Sequence, residues 1–270
     1  MKIPLLALAI AIAHAPASAQ DKDTHPLALA FEREVDRRVE LPPEVQSRYA
    51  LFLGFALQNT LAFDSVSQYV ALVDRDRHVQ TIMIYYLDAA AEPVRWRFIG
   101  ASPVSTGKPG SFEHFVTPTG VYAHSLDNPD FRAEGTRNKL GVRGYGVKGM
   151  RVYDFGWVAA ERGWGAGGQS IMRLQMHATD PDLLERRLGE WSSKGCIRIP
   201  AALNDFIDRY GLLDADYLRG AAGGRQYWVL RADRTPAPNP GRYLVVIDSE
   251  TTVRPEWLPP RKESGRFQPN

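Results

Sequence analysis

The chain has one cysteine in 270 residues, Cys196. A single thiol excludes an internal disulfide, so Cys196 is either free or joined to another molecule. A marked charge of one sign is also lacking: 33 basic residues stand against 31 acidic ones, a formal charge of +2. No overall field draws such a chain to nucleic acid. Long apolar runs are missing apart from one near the N-terminus, and that one is shorter than the ~18 residues a membrane helix needs, so no membrane span is expected. The six histidines show no metal-ligand spacing with Cys196 or with acids, and neither a metal nor a cofactor is expected. Gly107-Lys108-Pro109-Gly110 has a proline where a phosphate loop needs Ser or Thr, which excludes nucleotide binding there.

What is present begins with Lys2, an apolar stretch from Leu5 to Ala13, and Ala17-Ser18-Ala19 before Gln20. That pattern is expected of a secretory signal over 1–19, placing the protein outside the cytoplasm, in the periplasm or on the cell wall. In an oxidising compartment an unpaired thiol is a liability, so its retention asks for a reason: inert burial as a small hydrophobe, or reactivity.

Periodicity organises the remainder. Leu27, Phe31, Val35 and Val39 recur at helical spacing to Glu40, and Pro43 to Asn59 forms a second helical pattern after Leu41-Pro42-Pro43. These predict an N-terminal helical extension over 20–66. From Gln68 the pattern turns to β: Tyr69 to Val73 and Thr81 to Tyr86 form a hairpin, with further strands at Trp96–Ile99, Gly120–His124, Ile171–Met176 and Cys196–Ile199. One helix, Ala201–Tyr210, follows Cys196, with Gly211 at its C′ position. The expectation is a mainly β catalytic domain over 67–232, sandwich- or barrel-like. Late strands are expected at Tyr227–Arg231 and Tyr243–Ile247, and a C-terminal strand and polar tail over 233–270. Residues 135–168 are rich in glycine and carry Tyr145, Tyr153, Trp157 and Trp164, which fits either a substrate-covering loop or a structural excursion.

Two segments carry chemistry. Arg173 to Thr179 reads as a strand delivering His177 at its end, and Ser192-Ser193-Lys194-Gly195-Cys196-Ile197-Arg198 sets small residues before the thiol. A free thiol is only slightly ionised at neutral pH, and a nearby imidazole activates it. Gly195 permits a sharp turn that can aim the Gly195 and Cys196 amides at a carbonyl oxygen. Arg198, two residues beyond, can hold a substrate carboxylate or pair with an acid.

This arrangement resembles the L,D-transpeptidase catalytic domain family (YkuD-like): a His, a spacer, then Ser-Lys-Gly-Cys-Ile-Arg, preceded by Val104-Ser105-Thr106-Gly107-Lys108-Pro109-Gly110 and Thr117-Pro118-Thr119-Gly120-Val121-Tyr122. The resemblance spans roughly Gln68 to Leu230. It implies a β-rich enzyme whose Cys196 is acylated by a peptidoglycan stem peptide at a diaminopimelate-type centre and passes the acyl group to an amine. His177 would be base and then acid, the Ala178 carbonyl its orienting partner, and the Gly195 and Cys196 amides the oxyanion site. Arg198, Ser193, Lys194, Tyr122 and Trp164 would lie on the substrate side, and carbapenem-type inhibitors would add to the thiol. Lys194 stands where the family usually has His, and Ala178 where it has Gly or Ser. Hydrolysis by water, as in a carboxypeptidase or wall amidase, uses the same nucleophile. A non-catalytic wall-binding protein has no need of one.

Overall fold

The computed structural model describes residues 25–60 and 65–260. The segment 1–19 expected as a secretory signal and the end of the expected polar tail lie outside them.

Strand outweighs helix. The elements are helices α1 (Pro26–Glu34) and α2 (Pro43–Gln58), then strands β1 (Gln68–Asp74), β2 (Thr81–Asp88), β3 (Arg95–Pro103), β4 (Gly120–Ala123), β5 (Phe131–Arg132), β6 (Arg151–Glu161) and β7 (Gln169–Ala178). A 3-10 turn at Glu185–Arg187 precedes β8 (Ile197–Ile199), α3 (Ala201–Tyr210), α4 (Ala215–Ala222) and β9 (Tyr243–Ile247). Two mixed sheets result, in the orders β3-β2-β1-β9-β4 and β5-β6-β7-β8.

Alternation along the strands explains how the layers stack, because successive side chains leave opposite faces of a sheet. Tyr69, Ala71 and Val73 of β1 join a core with Tyr153 and Phe155 of β6, Leu174 and Met176 of β7, Ile197 and Ile199 of β8, Phe31 of α1 and Phe206 of α3. The intervening Val70 and Leu72 join a second core with Val45, Tyr49, Leu53 and Leu57 of α2. Strand β1 is therefore buried on both faces, and all seven of its residues are inaccessible.

Helix α1 ends at Glu34, earlier than its periodicity predicts. The following chain runs extended, placing Val35 in the first core and Val39 in the second, with the Val39 N–H on the Ala101 carbonyl at 2.9 Å. Both helices, β9 and the late residue Leu258 thus share the cores that the sheets build.

Three expectations need correction. Residues 135–168 are not one loop: only residues 135–150 and 162–168 are irregular, and residues 151–161 form β6, an interior strand of the four-stranded sheet. Its period is broken by a bulge between Asp154 and Trp157, where Gly156 takes a φ of +85°, and this hides the strand from a pattern reading. Tyr227–Arg231 is a turn, with Leu230 N–H on the Tyr227 carbonyl at 3.0 Å. α3 is also not the sole helix after Cys196: the short α4 follows it, burying only Tyr217.

Candidate active site

The second sheet positions the two candidate side chains, Cys196 and His177. β7 and β8 run parallel and pair Met176 with Ile197 and His177 with Arg198. Met176 and Ile197 point into the first core, so their neighbours His177 and Arg198 share the opposite face, with Cys196 in the bend immediately before β8. The Cys196 Sγ lies 4.0 Å from the Arg173 carbonyl oxygen, alongside the stretch of β7 that ends in His177.

His177 is buried, and its Nδ1 lies 2.7 Å from the Ala178 carbonyl oxygen. A carbonyl only accepts, so Nδ1 carries the proton and Nε2 presents its lone pair. Burial pushes the imidazole pKa down to about 4; the positive Arg198 adds to this and the Ala178 hydrogen bond opposes it. Burial also raises the Cys196 thiol above its ordinary value, against the lowering effects of its backbone contact and Arg198. At neutral pH the pair rests as thiol and neutral imidazole, not as a thiolate–imidazolium ion pair.

The turn carrying Cys196 is fixed from below by the upstream motif. Ser105 and Arg198 exchange N–H···O bonds of 3.0 and 2.9 Å, and Ser193 N–H donates to the Thr106 carbonyl at 3.0 Å. The Thr117 hydroxyl donates to the Gly195 carbonyl at 2.7 Å and accepts the Gly107 N–H at 2.8 Å. A Cβ on Gly107 would lie 2.0 Å from the Phe115 carbonyl oxygen, so only glycine allows this approach. Gln80 closes the base, its side-chain amide bonded to the Thr106 hydroxyl and N–H, each at 2.8 Å.

Several residues expected at the substrate serve this scaffold instead. Ser193 is buried; its hydroxyl donates to the Cys196 carbonyl at 2.6 Å and accepts the Gly195 N–H at 3.0 Å. The Gly195 amide, expected to face an oxyanion, is therefore turned inward, an arrangement that its φ of +134° makes possible. Tyr122 lies in the other sheet, and its hydroxyl donates to the Pro118 and Thr119 carbonyls; among the described residues no contact joins it to Cys196 or His177. Lys194 is exposed and pairs with exposed Glu113 at 3.4 Å. Trp164 stacks edge-on against Phe115 at 4.8 Å, and Phe115 abuts the Gly195 backbone, leaving the indole one layer from the thiol. Arg198 is half-buried, reaching the Ser192 carbonyl at 3.2 Å and bearing electrostatically on both Cys196 and His177.

Register brings in residues to which the sequence alone assigned no site role. The Tyr145 ring meets the His177 imidazole edge-on at 4.7 Å, and its hydroxyl donates to Gln175 Oε1 at 3.1 Å. Gln175 Nε2 donates to the buried Asp154 carboxylate at 2.9 Å. Tyr145 therefore contacts the His177 imidazole and is held by the sheet. Among the described residues no group of three His, Cys, Asp or Glu is placed to hold a metal ion, and no helix is long and apolar enough to cross a membrane. No model of a known protein family matches the chain, and no curated protein matches it significantly.

Proposed function

We propose that the protein is an exported cysteine acyltransferase acting on peptidoglycan stem peptides by L,D-transpeptidation. The observation that carries this reading is the placement of Cys196 in the bend that opens β8, its Sγ 4.0 Å from the Arg173 carbonyl of the parallel strand β7 that also bears His177, with the imidazole locked by the Ala178 carbonyl into the tautomer that accepts a proton at Nε2. The motif similarity supplies the substrate class.

In this reading the thiol proton passes to His177 Nε2 as sulfur attacks the donor carbonyl carbon. The tetrahedral intermediate collapses by breaking the carbon–nitrogen bond, and His177 returns the proton to the leaving amine. An acceptor amine then attacks the thioester, gives its proton to Nε2, and restores the thiol. Water in place of that amine gives a carboxypeptidase or amidase with the same first half-reaction. A neutral resting pair suits this general-base route, since the sulfur ionises only as it attacks.

The test is intact-mass analysis after incubation with defined muropeptides. A thioester on the wild type, with none on Cys196→Ala, is expected, and a carbapenem-type β-lactam should map to Cys196. A Cys196→Ala protein with wild-type turnover would sink the mechanism. Cross-linked against hydrolysed products then decide between the amine and water as acceptor.

A further inference from the structure

Arg173 and His177 stand four residues apart on the same face of β7, and the Cys196 thiol lies beside the stretch between them. Arg173 is held from two sides. Its Nε donates to the buried Asp154 carboxylate at 2.7 Å, and its guanidinium lies 5.6 Å from the ring centre of Trp157, its register partner on β6. Asp154 is fixed in turn, accepting from Gly156 N–H and Gln175 Nε2, each at 2.9 Å. Among the described residues no acceptor is bonded to either terminal nitrogen of Arg173. The side chain is 40% exposed and Trp157 67%, so both face solvent, and the Arg173 backbone carbonyl lies 4.0 Å from the thiol.

A guanidinium anchored through Nε against a buried carboxylate and backed by an indole has its rotamer settled before any ligand arrives. Its outward fork matches a carboxylate in two parallel hydrogen bonds. Arg198 does not duplicate this role, being half-buried with one terminal nitrogen on the Ser192 carbonyl.

We propose that Arg173, backed by Trp157 and Asp154, is a carboxylate-binding site for the donor, engaging a free carboxylate on the half retained in the thioester. This rests on the proposed function for its orientation: His177 protonates the leaving amine, and Arg173 lies on the opposite side of the thiol, where the retained acyl half must run. The site then makes the enzyme selective for donors whose acyl half keeps its side-chain carboxylate over donors in which it is amidated.

The probes are two stem tetrapeptides that differ only in whether the diamino acid's side-chain carboxylate is free or amidated. On Cys196→Ala protein, calorimetry should show the free acid binding about tenfold tighter or more, as expected of a charge-assisted bidentate contact. Arg173→Gln in that background should bring the two to within about twofold while the amide binds as before, and Arg173→Lys should restore only part of the preference. Equal binding of both peptides, binding of neither, or an equal loss for both in Arg173→Gln overturns the site. Wild-type acylation by the same peptides separates the two claims. Preference in binding without any thioester defeats the transferase and leaves the site standing. A thioester formed equally from acid and amide does the reverse.

Discussion

Two buried histidines in this molecule are held in opposite charge states. His177 has one ring nitrogen on a carbonyl and the other open toward the thiol side, and burial keeps it neutral. His124 has both nitrogens on acceptors, Nδ1 at 2.8 Å from the Leu213 carbonyl and Nε2 at 2.8 Å from the Asp130 carboxylate, so both carry protons. Burial acts against the charged form of His124 as well, but its neighbour Asp130 outweighs it and the pKa is raised. Depth alone does not set charge here; the partners do.

His124 belongs to a cluster centred on fully buried Arg151, which reaches Asp130 at 2.7 Å, Asp208 at 3.3 Å and Asp214 at 2.7 Å. Asp208 is also met by Arg132 at 2.8 Å. Two guanidiniums and an imidazolium thus balance three carboxylates across β5, β6, α3 and the start of α4. One part of the molecule uses its buried polar groups to tie elements together, and the other keeps a single imidazole uncharged.

The comparison breaks most sharply at the base. Replacing His177 with Gln keeps a polar side chain but removes proton transfer, and acylation of Cys196 should fall by about 10²- to 10⁴-fold in single-turnover mass analysis, with the fold retained by circular dichroism. Acylation within a few-fold of wild type would show that His177 is scaffold. Next in size, Arg151→Met leaves three buried carboxylates short of a partner and should cost on the order of 3–5 kcal/mol in urea unfolding, or prevent folding. A loss below about 1 kcal/mol would mean the cluster is far wetter than its burial indicates.

The pH profile sharpens the contrast because the two histidines act with opposite sign. The folded pKa of His177 is depressed, so below pH ~6.5 the unfolded chain takes a proton that the folded one refuses until about pH 4, and stability falls across that window. The folded pKa of His124 is raised, so its contribution is complete below pH ~6.5 and is lost as pH rises through the folded value. Imidazole NMR should therefore find one neutral and one doubly protonated ring at pH 6. Two rings titrating together near 6.5 would erase the distinction. The smallest effect belongs to Lys194→Gln, an exposed residue in an exposed pair, where stability should change by less than about 0.5 kcal/mol.

Much of the frame is legible in the sequence because local period and burial agree. The hairpin of β1 and β2 pairs Asp74 with Thr81 and Gln68 with Leu87, β9 spans Tyr243–Ile247, and α3 ends at Gly211 in the left-handed conformation. β6 escapes because its glycine sits at a bulge and its first residue is an arginine buried by partners far along the chain. At the site, Cys196 and His177 stand out as residue types with local context. Ser193 and Gly195 are misjudged because the direction of a hydrogen bond belongs to the folded turn, and Arg173 escapes because only register sets it across from Trp157.

The place of β9 has a consequence for how the chain is made. Among the described residues β4 pairs with no strand but β9, which follows it by more than a hundred residues, and β9 also covers the open side of β1. A polypeptide emerging residue by residue leaves both edges without their partner until residues 243–247 have appeared. The five-stranded sheet is therefore completed only then, long after β1 to β4.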